Sequence, residues 1–294
     1  MTSTSSPITV YGEALVDLVP AGVGPLAPLT PALGGGPFNV ARALGRLGAD
    51  VAFQSRLSSD AYGTALRQSL LDEGVDLSLC PSGEEPTTLA VTALRIDGSA
   101  TYTFYVNGTA DRLAEPSPVE HGYAVFGTLS LALEPGSLRY AEAARQSADA
   151  GAVVCLDPNL RPAFSSEKHR LFLRGLLESV TVLKLSDEEV EFLGDTSHVP
   201  IVVTTLGSEG IRVRAPFSSV EVQAPAVAVA DTIGAGDTVM AALVHQFDAR
   251  GLDRCALLEL GAEEWREILD FAARAAAITV SRTGADTPYL HELG

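Results

Sequence analysis

Gly234-Ala235-Gly236-Asp237 places a carboxylate at the end of a glycine turn that otherwise suits an anion. The longer stretch is Asp231-Thr232-Ile233-Gly234-Ala235-Gly236-Asp237-Thr238, led by an Ala/Val-rich segment, Ala224 to Ala230, and followed by the apolar run Val239 to Val244. Met240, Leu243, Val244 and Phe247 recur at helical spacing. The pattern reads as strand, tight turn and helix N-terminus. A helix start carries unpaired N–H groups and the positive end of the dipole, so it attracts an anion. Gly234 and Gly236 leave the backbone open to close approach by a phosphate. Asp237 then has two readings. It caps the helix, or it is the base that takes a proton from a hydroxyl attacking the phosphate. The stretch alone leaves both open.

Other residues could do related chemistry. Asp17 interrupts an apolar run from Ile8 to Val19, where an acid is costly unless hydrogen-bonded. It is either a strand end reaching solvent or an acceptor for substrate hydroxyls; Glu13 in the same run reads as structural. Gly34-Gly35-Gly36 opens a helix to about Leu47, with Val40, Ala43, Leu44 and Leu47 on one face. Asn39 in its first turn offers a donor and an acceptor, which suits a hydroxyl; a plain turn and a helix cap are the simpler accounts. Polar clusters recur at strand ends: Gly127-Thr128-Leu129-Ser130, Asp157-Pro158-Asn159-Leu160-Arg161, Lys184-Leu185-Ser186 and Thr204-Thr205-Leu206-Gly207. Arg161 is a candidate for an anionic contact or simply a surface ion pair. Ser186-Asp187-Glu188-Glu189 suits a helix N-terminus on dipole grounds.

Positioning these groups takes a regular scaffold. From Tyr123 onward apolar strands alternate with amphipathic helices: strands 124–127, 153–157, 180–185 and 201–205, helices 136–148, 167–177 and 187–193. That rhythm predicts a parallel sheet covered on both faces, with ligands outside the carboxyl ends of the strands. A strand at 51–54 and a helix at 61–73 precede it, a hairpin at 211–222 and a long helix at 263–280 follow it, and 21–32 reads as a Pro/Gly loop. The exception is Thr87 to Leu94 and Ala100 to Val106, β-branched and aromatic, with Asp97-Gly98 as a hairpin turn. It predicts a small separate β element.

Composition narrows the class. The 294 residues hold 20 Lys plus Arg against 37 Asp plus Glu, a net charge of −17. That argues against a nucleic-acid or anionic-membrane surface. The lysines are Lys168 and Lys184, and no Gly-Lys pair exists, which excludes a Walker-type P-loop. Cys80, Cys155 and Cys255 are isolated and lack metal-ligand spacing, so a reduced, cytoplasmic setting is the expectation. Met1 to Pro7 lacks the basic start and apolar run of a signal peptide, and no stretch of about 18 apolar residues occurs. The five histidines are scattered and receive no role.

The segment Asp231 to Asp237 resembles the C-terminal signature of the ribokinase-like (PfkB) family of ATP-dependent sugar kinases. Gly34-Gly35-Gly36-Pro37-Phe38-Asn39-Val40-Ala41, running to Arg56-Leu57-Ser58-Ser59-Asp60-Ala61-Tyr62-Gly63, resembles its N-terminal one. The resemblance spans nearly the whole chain and is closest to fructokinase-like members, through Gly12-Glu13-Ala14-Leu15-Val16-Asp17, Pro86 to Ala90, Asn107 to Asp111 and Asp157 to Pro162. It implies a three-layer α/β ribokinase-like fold, one domain over 1–294, with a central mostly parallel sheet and a small β-sheet lid from about 12–32 and 86–112. It implies Asp237 as the base, with the Gly234, Ala235 and Gly236 backbone stabilising the transferring phosphoryl group. Asp17, Gly35, Gly36, Asn39 and Arg161 would face the sugar. Lys184, Thr205, Gly207, Gly210 and Ala273 would face ATP. Glu189 sits where relatives carry Asn-x-x-Glu around Mg²⁺, but Ser186 replaces the Asn. Asp231 would join a K⁺ site with the segment after the last helix, and many relatives dimerise through the lid. The implied reaction is transfer of the γ-phosphoryl group of ATP to a sugar hydroxyl, with fructose as the acceptor. 2-Keto-3-deoxygluconate, ribose or a nucleoside are alternative acceptors, and a silent ligand sensor is the alternative from another class. A dinucleotide oxidoreductase fails for want of G-x-G-x-x-G after the first strand.

Overall fold

Side chains on a strand alternate between faces, so a strand apolar on both must lie between two layers. Tyr123 and Val125 belong to one core, and the intervening Ala124 and Phe126 to another. The computed structural model describes residues 8–22, 24, 26–94 and 100–294. In chain order its first half holds β1 (Ile8–Tyr11), β2 (Leu15–Pro20), β3 (Leu29–Gly34), α1 (Gly36–Arg46), β4 (Val51–Gln54), β5 (Leu57–Ser58), α2 (Ala61–Asp72), β6 (Ser82–Gly83), β7 (Thr88–Leu94), β8 (Ala100–Tyr105), β9 (Tyr123–Gly127) and α3 (Gly136–Ala150). The second half holds β10 (Val153–Asp157), α4 (Glu167–Leu176), β11 (Val182–Ser186), α5 (Asp187–Leu193), β12 (Ile201–Thr205), β13 (Ile211–Ala215), β14 (Ser218–Val222), α6 (Ala235–Ala249), α7 (Arg254–Glu259) and α8 (Ala262–Val280).

The large sheet runs β14-β13-β12-β11-β10-β9-β1-β4. Its strands from β12 to β4 are parallel, and β13 and β14 add an antiparallel edge. One face packs on α1, α6 and α8, where Phe38, Leu44, Met240, Phe247 and Trp265 are fully buried. Burying each such side chain contributes about 1.5–3 kcal/mol. The other face packs on α3 and α4 through Tyr140, Leu173 and Leu176. This is the three-layer α/β architecture that the strand-helix rhythm requires.

A separate sheet, β3-β2-β7-β8, stands apart from the three layers. It rests on a small cluster of Leu15, Ala90 and Leu129, joined by Phe104, Val106 and Phe164. Asp60 ties its entry down: the carboxylate caps α2 through the Gly63 N–H (2.7 Å) and also accepts the N–H and hydroxyl of Thr87.

Three expectations need correction, and one helix had none. The run Ile8 to Val19 is two strands in different sheets. At Gly12, φ is +145° and a Cβ would collide with Pro37 and Ser130, so only glycine makes this crossing. Residues 29–34 are a strand rather than loop; β3 is an edge strand, where Pro31 costs no ladder bond. Ala224 to Ala230 is extended but pairs with no strand, and Val227 and Val229 are exposed. The short helix α7, capped by Asp253 on the Ala256 N–H, lacked a periodic signal of its own. The Asp97-Gly98 turn lies outside the described residues, while the antiparallel pairing of β7 with β8 is as expected.

Candidate active site

The carboxyl ends of β9, β10 and β11 meet the N-termini of α1 and α6, and the polar clusters converge there. Gly234 is the N-cap of α6 in the left-handed region (φ +77°). A Cβ there would approach Ala285 to 2.6 Å, so the turn needs glycine both for its backbone and for contact with the segment after α8. Asp237 is buried in the first turn, and no side chain caps this helix. Its carboxylate faces away from its own helix. Asn39 Nδ2 donates to Oδ2 at 2.8 Å and Asn159 Nδ2 to Oδ1 at 3.2 Å. The capping reading of Asp237 therefore falls.

Asn39 is no cap either. It lies inside α1, with its N–H on the Gly35 carbonyl, and Gly35 is the N-cap. Its Oδ1 is buried without a partner, an acceptor left over for something else. Gly36 gives the cluster its floor. A Cβ there would clash with Thr128 Oγ1 and come within 3.1 Å of Asn159 Nδ2 and 3.3 Å of Asp237 Oδ1.

Lys184 is buried and pairs with Asp157 (Nζ to Oδ2, 2.7 Å). Its Nζ also lies 2.8 Å from where a Cβ on Gly236 would stand. The ammonium thus sits under the glycine turn, inside the Asp237 cluster. Burial opposes its charge, but Asp157, Glu189 and Asp237 outweigh that and raise its pKa. Asp237 is pushed up to about 6, chiefly by burial and then by the Asp157 charge, against Asn39, Lys184 and Arg161. That leaves it ionised at neutral pH yet a much better base than an exposed carboxylate.

Asp17 lies half-buried on β2, its Oδ2 beside Gly34. Burial raises its pKa and the charge of Arg161 lowers it. Arg161 donates to Asn159 Oδ1 at 2.6 Å and, among the described residues, makes no ion pair. Asp17, Gly36, Asn39, Arg161 and Asp237 are thus brought together, with Gly35 capping the helix that carries two of them.

The remaining positions are more scattered. Thr205 ends β12 beside Ser186, its hydroxyl on the Leu185 carbonyl. Gly207 has open space around it, whereas Gly210 is packed on the Val222 carbonyl, which accounts for that glycine structurally. Ala273 lines a cleft of about 520 Å³ with Gln223, Pro225 and Phe271 that shares no lining residue with the Asp237 cluster. Glu189 is buried, with both oxygens on backbone N–H groups, Leu160 at 2.6 Å and Ser186 at 2.7 Å, and with Ser186 it forms a capping box. Asp231 bridges the Ile233 and Gly284 N–H groups, which brings the signature loop to the segment after α8. Among the described residues no three His, Cys, Asp or Glu gather around a metal position, and no helix is long and apolar enough to cross a membrane.

One feature escaped the sequence reading, and one residue read as structural gains its reason. The non-glycine residues with positive φ among those described are Thr128 (φ 60°) and Asn159 (φ 41°), and both touch Gly36. A β-branched residue there stores about 1–3 kcal/mol of strain, which clusters at functional sites. Glu13 joins the two sheets: Ser130 N–H donates to its Oε2 at 2.9 Å, the Ser130 hydroxyl bonds the same oxygen, and Oε1 has no partner. Burial raises its pKa to about 7. An acid inside an apolar run was the available signal.

A buried carboxylate of raised basicity, pinned beside an anion-binding turn, is what hydroxyl-to-phosphate transfer requires. Residues 6–292 match the pfkB family carbohydrate kinase profile. The chain belongs to that family. A fructokinase of Escherichia coli is 31% identical over 303 residues, covering 96% of each chain. The crystal structure of a Xylella fastidiosa fructokinase with bound ATP superposes with a TM-score of 0.89 at 28% identity, covering 98% of this chain and 96% of that one. A double mutant of the Vibrio cholerae O395 fructokinase, with fructose, ADP and a potassium ion bound, superposes with a TM-score of 0.84 at 27% identity, covering 100% and 98%. The fold is the ribokinase-like one that the two signatures imply.

Proposed function

We propose that this protein is an ATP-dependent fructokinase, transferring the γ-phosphoryl group of ATP to the 6-hydroxyl of fructose. The observation that carries it is the Asp237 carboxylate, buried at the N-terminus of α6 and held by two amides beside the Gly234-Ala235-Gly236 turn. The family match and the fructokinase relatives support the sugar and the nucleotide.

Phosphoryl transfer needs positioning and charge stabilisation more than covalent help. Asp237 takes the proton of the attacking hydroxyl. The backbone N–H groups of Gly236 and Asp237 face the transferring group, while that of Ala235 donates to the Thr232 carbonyl and shapes the turn, and Lys184 beneath them adds positive charge. Asp17, Gly36 and Asn39 orient the sugar; the unpartnered Asn39 Oδ1 suits a hydroxyl donor. Closure of the small sheet as a lid excludes water, the competing acceptor.

Mg²⁺ is the expected metal, and the donor set fits it in a limited way. Asp157 Oδ1 is buried without a partner, and the Glu189 carboxylate acts on the same group of charges. Mg²⁺ keeps waters and takes phosphate oxygens, so these two carboxylates could hold its water shell without a protein cage. When bound, it neutralises charge on the ATP phosphates. Asp231 offers hard oxygens for K⁺ between the two loops it joins, in line with the potassium in the Vibrio cholerae relative. Assembly as a homodimer through the small sheet, where Val19, Leu29, Tyr102 and Tyr105 are exposed, and a cytoplasmic location belong to the same proposal.

The test is ADP release with Mg-ATP against fructose, ribose, 2-keto-3-deoxygluconate and adenosine. Turnover on fructose well above the others is expected. Preference for another acceptor would replace the substrate, and silence across the panel with ATP binding intact would favour the sensor.

A further inference from the structure

The Asp237 carboxylate receives its two amide donors from opposite directions. Asn39 reaches it from α1, and Asn159 from the loop that leaves β10. The Asn159 amide cannot be turned round. Arg161 can only donate, so Asn159 must present Oδ1 to it (2.6 Å), which leaves Nδ2 for a carboxylate that, when ionised, can only accept. The backbone at Asn159 is left-handed, a conformation that Asn and Gly tolerate and most residues do not. Gly36 leaves the room, since a Cβ there would press on both Asn159 Nδ2 and Asp237 Oδ1. The same guanidinium lowers the proton affinity of Asp17 on the small sheet and of Asp237 on α6.

We propose that Asn159 is a positioning residue for phosphoryl transfer: its amide fixes the Asp237 carboxylate in the orientation of a base and ties it to Arg161, so that the residues gripping substrate and the group removing its proton are set by one side chain. With one N–H on each oxygen, Asp237 keeps a lone pair on each for the sugar hydroxyl. This rests on the reading of Asp237 as the base.

The experiment compares pH profiles of kcat/KM for fructose phosphorylation in the wild-type protein, Asn159→Gly and Asn159→Asp, with Asp237→Asn as control and thermal melts of all four. Asn159→Gly keeps the left-handed backbone and removes only the amide. Asn159→Asp keeps the shape and sets a second carboxylate against the first. The charged groups facing Asp237, namely Asp157 on β10, Lys184 on β11 and Arg161, are the same in each. The expected result is a fall in kcat of roughly 10- to 100-fold in Asn159→Gly with little change in KM for ATP. The acid limb moves above its wild-type position near pH 6, because a donor to the charged form is lost, and moves further in Asn159→Asp. An unmoved limb in both variants, with activity falling only as the melting temperature falls, would make Asn159 a structural residue and overturn the proposal. Near wild-type turnover in Asp237→Asn would instead overturn the base assignment beneath it. If Asn159→Gly does not fold, the limb of Asn159→Asp decides.

Discussion

The floor of the site and the small sheet above it are built in opposite ways. Asn39, Asp157, Lys184 and Asp237 are all buried, and every one is held by a named partner at hydrogen-bond distance. The small sheet carries Asp17 half-buried on β2, beside an edge strand whose first four residues are exposed. One region is closed by partners on every side; the other sets a half-buried carboxylate beside an exposed edge. On the proposed reading, the difference teaches that charge chemistry is placed where reorganisation is least, and substrate grip where access is needed.

Variants can break or sharpen that contrast. The largest effect belongs to the floor. Asp237→Asn should fold and bind ATP yet lose about 10²–10⁴-fold in kcat, the usual contribution of a positioned base. A near wild-type rate in the ADP-release assay would remove Asp237 as the base.

Glu13, at the junction of the two regions, comes next. Its folded pKa of about 7 is raised above the unfolded 4.5. A group raised in this direction contributes stability fully present below the unfolded pKa, which is lost as pH rises through the folded one. Stability should therefore decline between about pH 4.5 and 7, by up to about 3 kcal/mol. Glu13→Gln should flatten that decline and melt several degrees higher than wild type at pH 8, with little difference at pH 5. Parallel melting curves across this range would show that the Glu13 carboxyl titrates alike in the folded and the unfolded protein.

Asp17→Ala tests the small sheet. Loss of a charged hydrogen-bond acceptor costs about 1.5–3 kcal/mol, so KM for sugar should rise about 10- to 100-fold while ATP affinity holds. Equal loss of both, by isothermal titration, would make Asp17 structural. Smallest is Ser186→Ala. Removing the N-cap of α5 should cost about 1 kcal/mol in chemical denaturation with the sugar KM unchanged. A change in the Mg²⁺ requirement instead would give Ser186 a part in the metal site.

What the sequence disclosed follows from the range of the interactions. The glycine turn before Asp237, the helix opened by Gly36 and the parallel strands are written in local spacing, and they stand where spacing puts them. Asn39 and Asp237 were each legible, but their bond joins residues 198 apart, and no local pattern encodes such a pairing. Asn159 was visible as part of a motif, while its left-handed backbone and its double role were not. The crossing at Gly12 was hidden because β1 and β2 are equally apolar; what divides them is contact with Pro37 and Ser130, again set by tertiary packing. The resemblance set Lys184 beside the nucleotide, but its pairing with Asp157 under the glycine turn is a contact between strands that no local spacing announces.

The Lys184 pairing has a practical side. The chain has two lysine side chains; Lys168 is 84% exposed and Lys184 is 5% exposed and ion-paired. An amine-reactive tag applied to the native protein meets Lys168 on α4 and leaves Lys184 untouched. The terminal α-amine reacts as well, so it is a tag mapped to the Lys184 peptide that registers opening of the floor, and the molecule carries its own covalent gauge of whether that region has come apart.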